Sequence, residues 1–207
     1  MQIPILIGTN AQEVPVWLQP DSKDAWEGVI SALAKKGSET AAQRVKTLYE
    51  EQNRHGSYKN LIADLKTDLS FTCKARYFAK LFAANQSQPV RLYLFDKQIP
   101  WVGAWVHGSF HGLELFYLFQ HVPKWAASFA GPGFELQKTL AALWTNFAKT
   151  GQLPENDWTA EWKPYSSEHR TAGVLGDFFG ILDDPRKQKC ELLEEFMLSD
   201  GEMGLLK

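Results

Sequence analysis

Five histidines, two cysteines and a set of carboxylates are the side chains here that could move a proton, bind a metal or attack an electrophile. Most histidines in any chain are surface groups or ordinary hydrogen-bonders, and nothing in the settings of His55, His121 and His169 sets them apart. His111 is different. It stands in GSFHGLEL between Gly108 and Gly112, residues that let the backbone turn sharply and present an imidazole. His107 and His111 share the four-residue spacing of a helical metal pair. The two glycines disfavour a helix, however, and no Glu follows His107 as an HExxH site requires, so no metal is expected.

A second loop, GTNAQE, carries Glu13 just beyond a short apolar run. A loop carboxylate is ordinarily solvated. An acid after one strand and a histidine after the next are nevertheless the two proton-handling members of a hydrolytic relay with the chain order Ser, acid, His. The third member is absent: no serine stands in the Gly-x-Ser-x-Gly sequence of a nucleophile elbow, and no HGGG-type loop supplies an oxyanion hole. With twelve residues ahead of Glu13, no strand is available on which to place either. Cys73 and Cys190 lie 117 positions apart, which excludes a CxxC redox motif and a four-cysteine zinc site. On count alone two reduced core thiols are expected, with one long-range disulfide as the alternative.

The elements that must position these groups follow from the apolar patterning. IPILIG at 3–8 reads as a buried strand ending at a loop, and VRLYLF at 90–95 as a second. Between them the pattern is helical. Asp21 or Ser22 caps a helix to about Lys36 that stops at Gly37, with Trp26, Val29, Ile30 and Leu33 on one face; Thr40 and Gln43 resemble a capping box opening a helix to about Glu51. Ser57–Asp68 and Leu69–Ala84 are a third and a fourth. Two strands so separated are expected to pair in parallel, giving an α/β architecture.

Residues 96–112 form a long loop rich in Gly and Trp without helical periodicity, of the kind that is usually functional or disordered. A short apolar helix at 113–119, an amphipathic helix at 134–149 ending at Gly151, an extended piece at 172–176 and a last helix at 185–197 complete the reading. No internal repeat or domain boundary is apparent.

Composition narrows the function classes. The 207 residues carry 22 Lys and Arg against 24 Asp and Glu, a net charge of −2, which provides no electrostatic excess for a nucleic-acid backbone. Hydrophobic residues at 44% with eight Trp and thirteen Phe are enough to fill a core. No membrane association is expected, because no run approaches the ~18 apolar residues of a bilayer span and MQIPILIGTN lacks the form of a secretory signal. The compartment stays open.

Several segments, in this order, resemble one family. IPILIGTNAQE resembles the strand and acid loop PxLIGTNxDEG of the type-B carboxylesterases, which include cholinesterases and bacterial para-nitrobenzyl esterases. GSFHGLELFYLF after YLFD resembles their GAxHGxEL histidine motif, and WTNFAKTGQLP with WKPY the segment beyond it. The likeness covers nearly the whole chain and implies a partial α/β-hydrolase fold, its C-terminal sheet strands with a large helical complement, over residues 1–207.

Carried over by position, the resemblance implies Glu13 as the acid and His111 as the general base of a Ser-Glu-His triad. It also implies Asp68 and Glu114 as supports of the imidazole, and Cys73 and Cys190 as partners of a disulfide found in secreted members. Trp101, Trp105 and Phe110 would line the wall of a pocket for a small apolar ester, for which aromatic rings are suited. No cofactor is implied. Gln12 and Val14 stand where the family has Asp and Gly, so the turn that carries Glu13 is expected to depart from the family's.

The expectation is therefore the C-terminal part of a serine ester hydrolase, inactive alone, with the nucleophile half of the family's chain absent. A sheet cut there should bare an apolar edge that pairs with a separate N-terminal half or self-associates. The alternative is a non-catalytic, cholinesterase-like adhesion module, for which Glu13 and His111 would not be needed.

Overall fold

The computed structural model describes residues 2–53, 56–97, 108–121 and 133–198. They fall into two compact units, each assembled from separated stretches of chain: Met1–Glu13 with Ala75–Pro185, and Val14–Lys74 with Arg186–Lys207. Because the chain passes between them more than once, no composition shift marks a border.

The first unit is built on a four-stranded sheet in the order β1-β2-β3-β4. β1 (Ile5–Asn10) and β2 (Val90–Asp96) run parallel, with Ile5 opposite Val90 and Asn10 opposite Phe95. β3 (Thr171–Gly176) is parallel to β2, and β4 (Phe179–Asp183) returns antiparallel to β3. Side chains alternate across the sheet, as its pleat demands. Ile5, Ile7, Val90, Leu92 and Ala172 pack on one face with Ala79 and Tyr165. Leu6, Tyr93, Phe95 and Leu175 pack on the other, under Leu136, Leu140 and Leu143 of a long helix, Gly133–Thr150, and the Trp162 ring.

β1 begins two residues later than the apolar run and continues through Thr9 and Asn10, whose backbones stay in register with Leu94 and Phe95. The sheet ladder, rather than hydrophobicity, decides where the strand stops. β4 and the short helix Asp157–Glu161 were not expected; the latter is fixed by a capping box between Asn156 and Thr159.

The second unit is helical. α1 (Lys23–Lys36) is capped by Ser22, whose hydroxyl accepts from the Ala25 N–H at 3.2 Å, while Asp21 instead accepts from Tyr58 N–H. α2 (Glu39–Glu51) is capped by Ser38 rather than Thr40: Ser38 Oγ accepts from Ala41 N–H at 3.1 Å. Helix α3 (Tyr58–Thr67) runs into a π-helical turn, Asp68–Thr72, at the point where one unbroken fourth helix was expected; α4 (Cys73–Asn85) follows it. Trp26, Ile30, Val45, Leu65 and Phe196 form the core. Cys73 and Cys190 are bonded, their Cα atoms 5.1 Å apart, tying the end of the π turn to the C-terminal helix, Lys187–Leu198.

Candidate active site

The site forms at the carboxyl ends of β1 and β2. Their common level in the sheet makes the loops that follow them neighbours. Three adjacent attachments join the loops. Gln12 N–H donates to the Ser109 carbonyl at 3.1 Å, Asn10 Nδ2 donates to the Phe110 carbonyl at 2.7 Å, and Glu13 Oε2 lies 2.6 Å from His111 Nδ1. Ser109 is fully buried, and its hydroxyl donates to the Lys97 carbonyl at 2.9 Å, so the histidine loop closes at its base where β2 ends.

The glycines flanking the histidine are needed for two reasons. Gly108 and Gly112 have φ of +88° and +79°, values that residues with a Cβ rarely adopt. A Cβ on Gly108 would also collide with the Gln12 side-chain amide. Gly112 turns the chain directly into helix α5 (Leu113–Leu118). Its next residue but one, Glu114, thereby faces the acid loop and accepts from Asn10 Nδ2.

Glu13 is 7% exposed, whereas two thirds of the His111 side chain is open to solvent. Burial pushes the Glu13 carboxyl above its ordinary range. The Asn10 backbone N–H, 2.7 Å from Oε1, and the His111 ring pull in the opposite direction, and nearby Glu114 adds to the upward shift. The Tyr93 hydroxyl is likewise pushed up, by burial first and then by Glu114 and Glu13. With Glu13 ionised, the proton of a neutral imidazole belongs on Nδ1, and Nε2 becomes the basic edge. Such a ring can accept a proton while the carboxylate stabilises the cation that forms.

The remaining sequence-derived candidates distribute as follows. Phe110 is partly buried and packs against the Phe95 core, while Trp101 and Trp105 lie outside the described residues. Asp68 lies in the helical unit, fully buried, where its carboxylate accepts from the Tyr49 hydroxyl at 2.7 Å and Arg186 Nη1 at 3.1 Å. Among the described residues no group of three or more His, Cys, Asp or Glu side chains is gathered to hold a metal ion. Asn10 escaped the sequence reading. It sits in the quoted GTNAQE segment, but its type and position signalled only a turn.

A carboxylesterase family model matches residues 1–192. The chain belongs to the carboxylesterase family. It is 30% identical to the para-nitrobenzyl esterase of Bacillus subtilis (strain 168) over 92% of its own length and 38% of that protein's. It is 26% identical to an acetylcholinesterase of Leptinotarsa decemlineata over 93% of its length and 33% of the relative's. A solved structure of a PNB esterase superposes with a TM-score of 0.70 at 27% identity, covering 92% of the chain and 38% of that structure; a thermophilic PNB esterase gives 0.68 at 28%. The fold is thus mixed α/β with a mostly parallel sheet and matches part of an esterase. The chain spans 33–38% of the length of these relatives.

Proposed function

We propose that these residues supply the acid, Glu13, and the general base, His111, of a Ser-Glu-His relay in a serine carboxylic-ester hydrolase, the attacking serine lying outside the 207 residues. The observation that carries this reading is the 2.6 Å approach of a buried carboxylate to Nδ1 of a largely exposed imidazole, delivered from adjacent parallel strands. The substrate class is a small ester with an apolar acyl or alcohol group, for which aromatic side chains are suited. Glu114 supports the geometry through Asn10. Asp68 organises the helical unit through Tyr49 and Arg186.

A relay without its nucleophile and oxyanion donors retains only proton transfer to water, a contribution of about 10²- to 10⁴-fold at best. The purified chain is therefore expected to show no saturable hydrolysis of para-nitrophenyl acetate. A chimaera in which this chain replaces the matching 38% of the Bacillus subtilis esterase is expected to hydrolyse that ester, and to lose about 10²- to 10⁴-fold in kcat on His111→Ala or Glu13→Gln. Saturable turnover by the isolated chain, or a chimaera indifferent to His111→Ala, would overturn the proposal.

A further inference from the structure

Asn10 joins the two loops in a way that neither generic turn chemistry nor strand pairing requires. Its backbone N–H binds Glu13 Oε1 at 2.7 Å. Its side-chain nitrogen donates twice, to the Phe110 carbonyl at 2.7 Å and to the Glu114 carboxylate. The residue thus touches the acid directly, the backbone immediately before His111 and the acidic side chain three residues after it. It is 1% exposed.

The orientation of the amide is dictated by its neighbours. Both side-chain contacts are acceptors, so only the NH₂ end fits against them, and turning the amide over would set its oxygen against a carbonyl and a carboxylate. The chosen orientation leaves Asn10 Oδ1 buried with no hydrogen-bond partner among the described residues. Buried acceptors are ordinarily paired. An unsatisfied oxygen is tolerated here for two donated bonds, one of them charge-assisted.

We propose that Asn10 is a positioning residue that locks the Glu13 carboxylate onto His111 Nδ1 by clamping the acid loop to both ends of the histidine turn. The inference rests on the reading of Glu13 and His111 as a proton relay, but it assigns the precision of that pair to a third side chain. Aspartate has the same shape and no donor. Asn10→Asp puts a carboxylate against Glu114 and the Phe110 carbonyl, and the clamp opens by repulsion.

The test is the imidazole tautomer in the ¹⁵N-labelled 207-residue chain, read by long-range ¹H–¹⁵N spectra above the range where the ring is protonated, with backbone spectra to verify folding. In the unsubstituted chain His111 is expected predominantly as the Nδ1–H form. Asn10→Asp is expected to lower the Nδ1–H to Nε2–H ratio about tenfold, the value of one charge-assisted hydrogen bond. Glu114→Ala leaves the Asn10 amide and its Phe110 bond in place and should give a smaller shift in the same direction. Asn10→Asp with Glu114→Gln returns a donor and an acceptor to that contact with reversed polarity, and part of the ratio should recover.

A folded Asn10→Asp chain with the original ratio would overturn the proposal while leaving the Glu13–His111 reading intact. So would an unchanged ratio in Glu114→Ala, which decides the matter if Asn10→Asp does not fold. No Nδ1–H preference in the unsubstituted chain would overturn both.

Discussion

Glu13 is held between two demands. Orienting an imidazole requires its ionised form, yet burial raises its proton affinity above that of the free side chain, whose value is 4.5. The sign of the consequence is fixed by linkage. A group whose folded value lies above its unfolded one gives stability that is complete below 4.5 and is lost as pH rises through the folded value. Glu13→Gln removes that dependence. The Tm difference between the parent and Glu13→Gln should therefore move against the parent as pH is raised from about 4.5; parallel melting curves from acid to neutral pH would contradict the assignment. Gly108→Ala is a second test at this scale. It adds a Cβ at positive φ and against Gln12, and should cost about 1–3 kcal/mol in urea unfolding.

At the scale of elements, register matters most. Asn10 faces Phe95 across the parallel pair, and a slip of one residue would invert every side chain of β1 and shift the acid loop by about 3.3 Å. Phe95, fully buried beneath the long helix, is a main support; Phe95→Ala should lose about 3–5 kcal/mol. In the helical unit, reducing the Cys73–Cys190 bond or replacing both cysteines by serine should lower stability by about 2–5 kcal/mol, measured in denaturant with and without reductant. The strands whose following loops carry Glu13 and His111 were legible in the sequence because apolar runs ending at Gly-Thr-Asn and Asp are local signals. Other features were not. Ser38 outcompetes Thr40 because its hydroxyl reaches Ala41 N–H, a matter of backbone geometry. Strand β4 is five residues long, contains Gly180 and is set by pairing with β3. The pairing of Asn10 with Glu114 spans 104 positions and depends on where two loops meet.

At the scale of the whole molecule, the chain occupies 38% of the length of its esterase relative, and its surface is compatible with further contacts. Among the described residues β1 pairs on one side only, and Leu115, Phe116 and Phe119 beside the histidine turn are about half exposed or more. Unpaired strand edges and apolar patches favour association. The isolated chain should elute from size exclusion at masses that rise with concentration, and Phe116→Ser with Phe119→Ser should reduce this; a monomer at all concentrations would contradict it. The bond from Ser109 to the Lys97 carbonyl has a separate evolutionary consequence. It holds Ser109, and with it the turn that presents His111, to the end of β2 whatever the number of residues that join the two, so a change of length between them in a descendant gene need not displace the imidazole.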